Sequence, residues 1–212
     1  MSSSTQQVYE KHHLEHRESG FSIMAEERGV LLKHFIGKGK RVLDIGCRDG
    51  ALTKYFAESN EVLGIDIDTS ALGEARVSLG IEIMNIDLNG NWQELADRKF
   101  DVVTAGEILE HLYYPEEVIL KVKKHLKEGG LFVGSVPNAF SFKNRLRYLL
   151  GQKKYTPLSD PTHINQFSYL ELRSIFKKHF KYVEVIGLGR YHKLSKWFPN
   201  AVAFDLFFRA SN

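Results

Sequence analysis

Acidic residues stand at the carboxyl ends of three successive apolar segments of this sequence. Asp44, Asp66 and Asp87 each lie at or near the end of a short run rich in Val, Ile or Leu. If these runs are parallel strands, their carboxyl ends meet at one edge of a sheet, where open α/β folds bind ligands. The three carboxylates therefore mark a candidate site for a ligand with hydroxyl, amino or cationic groups.

A glycine-bearing turn, Gly46 to Gly50, follows the first of these runs. It matches neither the G-x-G-x-x-G spacing of nicotinamide sites nor a phosphate-binding loop that ends in Gly-Lys-Ser/Thr. Asp44, two residues before the first glycine, would repel a pyrophosphate but not a cationic amino-acid group. A carboxylate at Asp66 can accept both hydroxyls of a ribose, and one at Asp87 can accept an adenine amino group. This combination predicts S-adenosylmethionine, a nucleoside that carries a positive charge.

A second group of reactive side chains lies in two later segments. Glu107, Glu110 and His111 would share one face if their segment forms a turn of helix, and His163 supplies a second imidazole. Methyl transfer to a hydroxyl needs a base or a metal that makes the oxygen nucleophilic. We therefore predict His111, His163 and Glu107 as catalytic residues. The alternatives are that Glu107 only lines the cofactor pocket, that Glu110 is solvated, and that the histidines are structural.

Alternating strands and helices must position these side chains. Helices are predicted at Pro115–Lys127, where Pro opens the helix and lysines close it, and from Ser168, where Glu171 completes a capping box. Such alternation predicts an open, doubly wound α/β sheet. The predicted strands are Arg41–Ile45, Glu61–Ile65, Ile81–Ile86, Phe100–Ala105 and Leu131–Val136, followed by two near Lys181–Gly187 and Ala201–Arg209.

The segment 139–166 interrupts this alternation after the fifth strand. An apolar helical stripe is predicted there, accompanied by five basic residues at Lys143, Arg145, Arg147, Lys153 and Lys154. At the ligand edge of the sheet it would form a lid over the acceptor pocket. The alternatives are a packed surface helix with solvated basic residues and a basic amphipathic helix that lies on an anionic membrane.

Length and composition are those of one globular domain. The 212 residues are 43% hydrophobic and 26% charged, and a single cysteine excludes an intramolecular disulfide. Without a leader or a spanning apolar run, the chain is expected to be cytoplasmic. The net charge of +3 hides a split, because residues 1–114 hold 12 basic and 19 acidic residues whereas residues 115–212 hold 17 and 7. The basic half suggests an anionic partner.

The motifs together resemble those of the class I S-adenosylmethionine-dependent methyltransferases. Asp44 to Gly50 resembles the first motif of that family, and the segments 100–107 and 126–131 resemble two later ones. The resemblance implies a Rossmann-like sheet of order 3-2-1-4-5-7-6 with an antiparallel seventh strand, in residues 38–212, preceded by a helical cap at residues 1–37. Arg48 replaces the usual middle glycine and is expected to avoid left-handed backbone. The implied cofactor-binding residues are Asp44, Gly46, Cys47, Gly50, Asp66, Ile67, Asp87, Leu88 and Glu107.

The Glu-x-x-Glu-His pattern with a later His is similar to two groups within the family. They are the ubiquinone-pathway O-methyltransferases and the small-RNA 2′-O-methyltransferases, whose matching residues bind a divalent metal. The implied ligands of Mg²⁺ or Zn²⁺ are Glu107, Glu110, His111 and His163. A further group of histidines, His12, His13 and His16, is interpreted as a solvated helix face.

These observations predict an S-adenosylmethionine-dependent enzyme that methylates a hydroxyl of a small, anionic molecule or sugar. One alternative is a metal-dependent RNA 2′-O-methyltransferase, although nucleic acid is the less favoured partner. Another is a cofactor-binding partner protein, because the Phe142–Gly151 stretch is similar to the MetW-like proteins of methionine biosynthesis. Peripheral contact with a membrane stays open, and the sequence makes no prediction of oligomeric state.

Overall fold

The structure is a computed structural model that describes residue 20 and residues 22–190, 192–195 and 197–212. The first described helix, α1, covers Ala25–Ile36 and ends at Gly37, where the predicted cap was expected to end. Most of the remaining cap, including His12, His13 and His16, lies outside the described residues.

Seven strands form one sheet in the order β3-β2-β1-β4-β5-β7-β6. β7 is antiparallel to both of its neighbours, and the other pairs are parallel. The predicted fold class and strand order are therefore confirmed. The strands are β1 Arg41–Ile45, β2 Glu61–Asp66, β3 Glu82–Asn85, β4 Phe100–Gly106, β5 Leu126–Pro137, β6 Tyr182–Leu188 and β7 Asp205–Ser211.

Helices cover both faces of the sheet, and two hydrophobic clusters separate them from it. In β1, Leu43 and Ile45 belong to one cluster and Val42 belongs to the other, so this strand is buried on both faces. The remaining helices are α2 Thr69–Leu79, α3 Pro115–His125, α4 Phe142–Leu149, α5 Tyr169–His179, α6 His192–Ser195 and α7 Pro199–Val202. Within the described part of the chain, none of the helices has the length and apolar character needed to cross a bilayer.

Local sequence signals explain how several helices begin. Pro115 occupies the first turn of α3, as predicted. The side chain of Ser168 caps α5 by accepting a hydrogen bond from the backbone N–H of Glu171 at 3.2 Å, which confirms the predicted start.

The predicted boundaries are wrong at the start of β5, the end of α3 and the start of β7. β5 begins at Leu126, because Leu126 pairs with Phe100 ahead of a bulge, and α3 accordingly ends at His125. β7 begins at Asp205 rather than Ala201, because Pro199 opens the short helix α7.

The insert helix α4 exposes its apolar face and buries a polar one. Its stripe of Phe142, Leu146 and Leu149 faces solvent. The buried side is polar, since Asn144 Nδ2 donates a hydrogen bond to the carbonyl of Asn138 at 3.0 Å. The expected surface helix therefore does not pack through its apolar stripe, whereas its basic residues Lys143 and Arg145 are solvated as that alternative expected.

Candidate active site

A cavity of about 630 Å³ opens at the carboxyl edge of the parallel strands. This is the edge at which open α/β sheets bind ligands. One wall comes from the ends of β1, β2 and β4 and the turn after β3, and another comes from the insert, including Asn144 and the segment 155–163. Of the predicted site residues, the lining contains Asp44, Gly46, Cys47, Asp66, Ile67, Asp87, Leu88, Glu107, His111 and His163.

Asp44 is buried near the end of β1 and is held by two hydroxyls. Its carboxylate accepts hydrogen bonds from Thr53 Oγ1 at 2.6 Å and from Thr104 Oγ1 at 2.9 Å. Burial raises the pKa of Asp44 to about 6, against the lowering effect of these two hydroxyls, and nearby Asp66 raises it further. A cationic group in the cavity would stabilise the ionised form.

Asp66 ends β2 and is oriented by two backbone N–H groups. Asp68 donates to Oδ1 and Arg48 donates to Oδ2, both at 2.9 Å. These bonds fix the carboxylate against the cavity wall. A carboxylate held in this way can accept the hydroxyls of a ribose.

Arg48 contradicts the expectation that it avoids left-handed backbone, since its φ is 48°. This conformation costs a non-glycine residue about 1 kcal/mol. Two contacts offset the cost: the backbone N–H donates to Asp66, and the guanidinium pairs with Asp49 at 2.7 Å. The turn therefore keeps the left-handed backbone at this position without a glycine.

The turn after β3 carries Asp87 to the same cavity. Asp87 Oδ1 accepts the backbone N–H of Asn89 at 2.9 Å, while Ile67 and Leu88 line the wall beside it. An apolar wall next to a carboxylate is suited to a flat base with an exocyclic amino group.

The two glycines of the first turn have different surroundings. Gly46 has a φ of 71°, and a Cβ there would come within 2.6 Å of Ile108 Cδ1, so the residue must be glycine for the backbone to pass. Gly50 has a φ of 83° and lies against Leu79 of α2. Gly50 is not part of the cavity lining, so it shapes the turn rather than touching a ligand.

Arg28 is a buried site residue that the sequence analysis missed. Its Nε donates to Ser135 Oγ at 2.9 Å, and Ser135 Oγ in turn donates to Glu107 Oε1 at 3.3 Å. The Arg28 guanidinium also lies 3.6 Å from Asp205 Oδ2 and 4.0 Å from Glu107 Oε1. Burial raises the pKa of Asp205 well above normal, and Glu107 adds to this while Arg28 opposes it. A spacing signal was present, because Arg28 is in register with the buried Leu32 and Ile36 of α1 at i, i+4 and i+8.

One nitrogen of Arg28, Nη2, makes no hydrogen bond to the described residues, although it lies 4.0 Å from Glu107 Oε1. Arg28 lines the cavity, and its buried Nη2 has no hydrogen-bond partner among the residues that the structure describes. A buried donor without a partner is costly, and a carboxylate in the cavity would satisfy it.

Three of the four predicted metal ligands come together. Glu110, His111 and His163 each offer a ligand atom, and these atoms lie within 4.8 Å of one another. Glu107 is not in this group: its φ of 61° ends the strand sharply, and only Leu109–His111 forms a turn of 3₁₀-helix. The predicted shared face of Glu107, Glu110 and His111 is therefore wrong.

Backbone carbonyls orient both imidazoles. His111 Nδ1 lies 3.0 Å from the carbonyl oxygen of Thr162, and His163 Nδ1 lies 3.1 Å from that of Pro157. Because a carbonyl can only accept, each Nδ1 carries a proton, so the neutral form of either ring has its lone pair on Nε2. The two rings meet edge to face with centroids 4.7 Å apart.

Glu110 is the buried acid beside these rings. Both of its oxygens are buried and lack a hydrogen-bond partner among the described residues, and Oε1 lies 3.9 Å from His111 Nε2. Burial raises the pKa of Glu110 well above normal, and the charge of Glu107 raises it further. Glu110 itself is not part of the cavity lining, so it stands behind His111.

The arrangement can hold a cationic nucleoside on one side and deprotonate an acceptor on the other. Asp44, Asp66 and Asp87 line the strand-end side, and His111 and His163 line the insert side. Because both sets border one cavity, two reactants could lie next to each other within it.

Comparison with known proteins identifies the family. A family model described as a methyltransferase domain matches residues 15–184. Ubiquinone biosynthesis O-methyltransferase of Burkholderia pseudomallei is 31% identical over 179 residues, which cover 76% of this chain and 72% of that protein. The Azoarcus sp. protein of the same name is 36% identical over 118 residues, 53% of this chain and 50% of that protein. The match thus spans about half the length of the Azoarcus relative.

A solved structure shows the same fold. The S-adenosylmethionine-dependent methyltransferase of Archaeoglobus fulgidus superposes with a TM-score of 0.69 at 17% identity, and the match covers 97% of this chain and 99% of that one. The superposition shows a shared fold, and the family match over residues 15–184 shows that the chain belongs to the methyltransferase domain family.

Proposed function

We propose that the protein transfers the methyl group of S-adenosylmethionine to a hydroxyl of a small molecule. The observation that carries this proposal is the pair of imidazoles, His111 and His163, which line the same cavity as Asp44, Asp66 and Asp87 and are oriented through Nδ1 by backbone carbonyls. An acceptor hydroxyl must lose a proton during transfer, and a neutral imidazole can take it. Relatives named as O-methyltransferases support the same reaction class.

Each cofactor group has a proposed partner in the cavity. Asp66 accepts the ribose hydroxyls, and Asp87 accepts the adenine amino group. Arg28 binds the carboxylate of the methionine part through Nη2, which has no hydrogen-bond partner among the described residues. Asp44 stabilises the cationic amino end, because its buried carboxyl ionises more readily next to a positive charge.

The reaction is an in-line displacement. The acceptor oxygen forms a bond to the methyl carbon while the carbon–sulfur bond breaks, and that bond's electron pair returns to the sulfonium, which becomes a neutral thioether. His111 Nε2 takes the hydroxyl proton, and the Thr162 carbonyl stabilises the resulting imidazolium through Nδ1. Alignment of the two reactants in one cavity supplies most of the remaining acceleration.

A divalent metal fits the same residues. Two imidazole nitrogens and one buried carboxylate are the donor set of three-ligand zinc sites, and they suit Zn²⁺ better than Mg²⁺. The unpartnered oxygens of Glu110 and the carbonyl-bound Nδ1 atoms of both histidines support this fit. When bound, such an ion lowers the pKa of an acceptor hydroxyl. Glu110, His111 and His163 would hold it, and Glu107 would not take part.

The proposal is tested by measuring S-adenosylhomocysteine release with a panel of phenolic, catecholic and sugar hydroxyl acceptors. We expect turnover with at least one hydroxyl compound and its loss when that hydroxyl is replaced by hydrogen. Adding a chelator, and then Zn²⁺ or Mg²⁺, distinguishes a metal-assisted reaction from one that uses His111 alone. Tight cofactor binding without turnover, together with capture of a partner acyltransferase, would instead favour the MetW-like alternative.

A further inference from the structure

Several of the large apolar side chains that the fold leaves exposed lie in two neighbouring segments. In α4, Phe142 is 69% exposed and Leu149 is 82% exposed, and Leu146 and Leu150 are also exposed. This is the stripe that α4 turns away from the protein. Single exposed apolar residues are ordinary, but a contiguous group of large ones marks an interaction site.

A second segment extends this surface. The short helix α7 is in contact with α4. Trp197 is 82% exposed, and Leu194, Phe198 and Phe204 around α7 are exposed as well. We define the apolar face as Phe142, Leu146, Leu149, Leu150, Leu194, Trp197, Phe198 and Phe204.

Basic residues accompany the apolar face in both segments. Residues 139–159 contain five lysines and arginines and no acid, and residues 189–204 contain three and no acid. Lys143, Arg145, Lys153 and Lys154 are exposed. Arg147 and Lys154 lie over the ring of the exposed Tyr155, with 5.8 and 5.1 Å from the cation to the ring centroid.

We propose that the apolar face binds the surface of an anionic lipid bilayer. Exposed Leu and Phe side chains on a short helix, with exposed Trp and Phe side chains in the neighbouring segment and lysines and arginines around them, have the composition of segments that lie in the plane of a membrane interface. Each basic residue near such a surface contributes about 1 kcal/mol, and exposed aromatic rings are enriched at the headgroup level.

The chemistry of the surface favours lipid over the other partners. Two copies of this face would bring together two clusters of positive charge with no acid between them, which disfavours self-association. RNA would complement the charge, but it would leave the leucines of α4 without an apolar environment. A bilayer with acidic headgroups satisfies both features at once.

Binding in this orientation would place the cavity next to the membrane. Asn144 of α4, Tyr155 and Phe204 belong to the same two segments and also line the cavity. Membrane binding by this surface does not depend on which hydroxyl the enzyme methylates.

The test is flotation of the purified protein with phosphatidylcholine vesicles, made with or without phosphatidylglycerol. We expect at least about tenfold tighter binding to the anionic vesicles, and loss of this preference near 1 M salt, where the Debye length is about 3 Å. Leu146→Ser with Leu149→Ser, and separately Lys153→Glu with Lys154→Glu, should each weaken binding by about tenfold or more.

Matched controls use exposed residues of other helices. Val77→Ser with Leu120→Ser replaces exposed apolar residues of α2 and α3, and Lys124→Glu with Lys177→Glu reverses exposed charges of α3 and α5. Both control pairs should leave vesicle binding unchanged, and circular dichroism would verify that every variant is folded. Equal losses in the controls, equal binding to neutral vesicles or no vesicle binding would each overturn the proposal. So would a dimer, present without vesicles, that the leucine substitutions dissociate.

Discussion

Asp44 gives the sharpest test of how the strand-end acids act. Asp44→Asn removes a carboxylate whose pKa burial raises from an ordinary value of 3.8 to about 6. A difference of about two pKa units corresponds to about 3 kcal/mol, at 1.36 kcal/mol for each unit. This is the amount by which ionised Asp44 opposes folding of the cofactor-free protein.

The pH dependence of the Asp44 contribution to stability follows from the direction of its pKa shift. The folded state binds the Asp44 proton more tightly than the unfolded state, so this residue's contribution to the free energy of unfolding decreases as pH rises from 3.8 to 6. The penalty is complete above about pH 6 and absent below 3.8. At pH 8, Asp44→Asn should therefore raise the free energy of unfolding by about 1–2 kcal/mol, less than the full 3 because Thr53 and Thr104 lose a charged acceptor. Near pH 4 the two proteins should be almost equally stable.

Asp44→Asn should weaken cofactor binding even though it raises the free energy of unfolding. A cation in the cavity holds Asp44 ionised, so the affinity of the unsubstituted protein for S-adenosylmethionine should fall below about pH 6, by up to about tenfold for each pH unit. Asp44→Asn should bind more weakly at pH 8 and lose this pH dependence. The assays are urea unfolding followed by fluorescence, and titration calorimetry over the same pH range.

Asp101 serves as a control, because its pKa is lowered whereas that of Asp44 is raised. Hydrogen bonds from Lys127 and from the Arg41 backbone lower the pKa of Asp101, so Asp101→Asn should reduce stability at pH 8. Destabilisation of the cofactor-free protein by Asp44→Asn at pH 8, or unchanged cofactor affinity, would refute the reasoning about Asp44.

Three further predictions concern single side chains. Arg28→Met leaves the buried Asp205 and the half-buried Glu107 without their cation, so it should lower the free energy of unfolding by about 3–5 kcal/mol at pH 8 in a urea titration; a loss below 1 kcal/mol would show that the cluster tolerates the loss of the cation. His111→Ala should lower kcat by about 10²- to 10⁴-fold with little change in the KM for S-adenosylmethionine, and an unchanged kcat in steady-state kinetics would exclude His111 as the base. Arg48→Val should lower stability by about 1–2 kcal/mol, because a β-branched residue tolerates a φ of 48° poorly, whereas Arg48→Gly should stay within about 1 kcal/mol; thermal unfolding of both compares them directly.

The sheet and the cofactor side of the site could be predicted because their signals are local. Buried strands such as Arg41–Ile45 read as continuous apolar runs, and an acid at the end of each run locates the ligand edge. The structure places Asp44, Asp66 and Asp87 on the cavity as the sequence predicted.

The acceptor side could not be predicted in the same way because tertiary contacts decide it. Glu107 leaves the helical pattern through a positive φ, since its N–H donates to the Ser135 carbonyl of the neighbouring strand. The α4 stripe faces outward because Asn144 and Ser141 are buried in its place. Arg28 reaches Ser135, which is 107 residues away in sequence, and no local pattern reports such a contact.

The most direct measurement is a crystal structure of the protein with S-adenosylhomocysteine. We expect the ribose hydroxyls within hydrogen-bond distance of the Asp66 carboxylate, the adenine between Ile67 and Leu88 near Asp87, and the sulfur directed toward the side lined by His111 and His163. A nucleoside bound elsewhere, or a sulfur directed away from both histidines, would contradict the proposed roles of these residues.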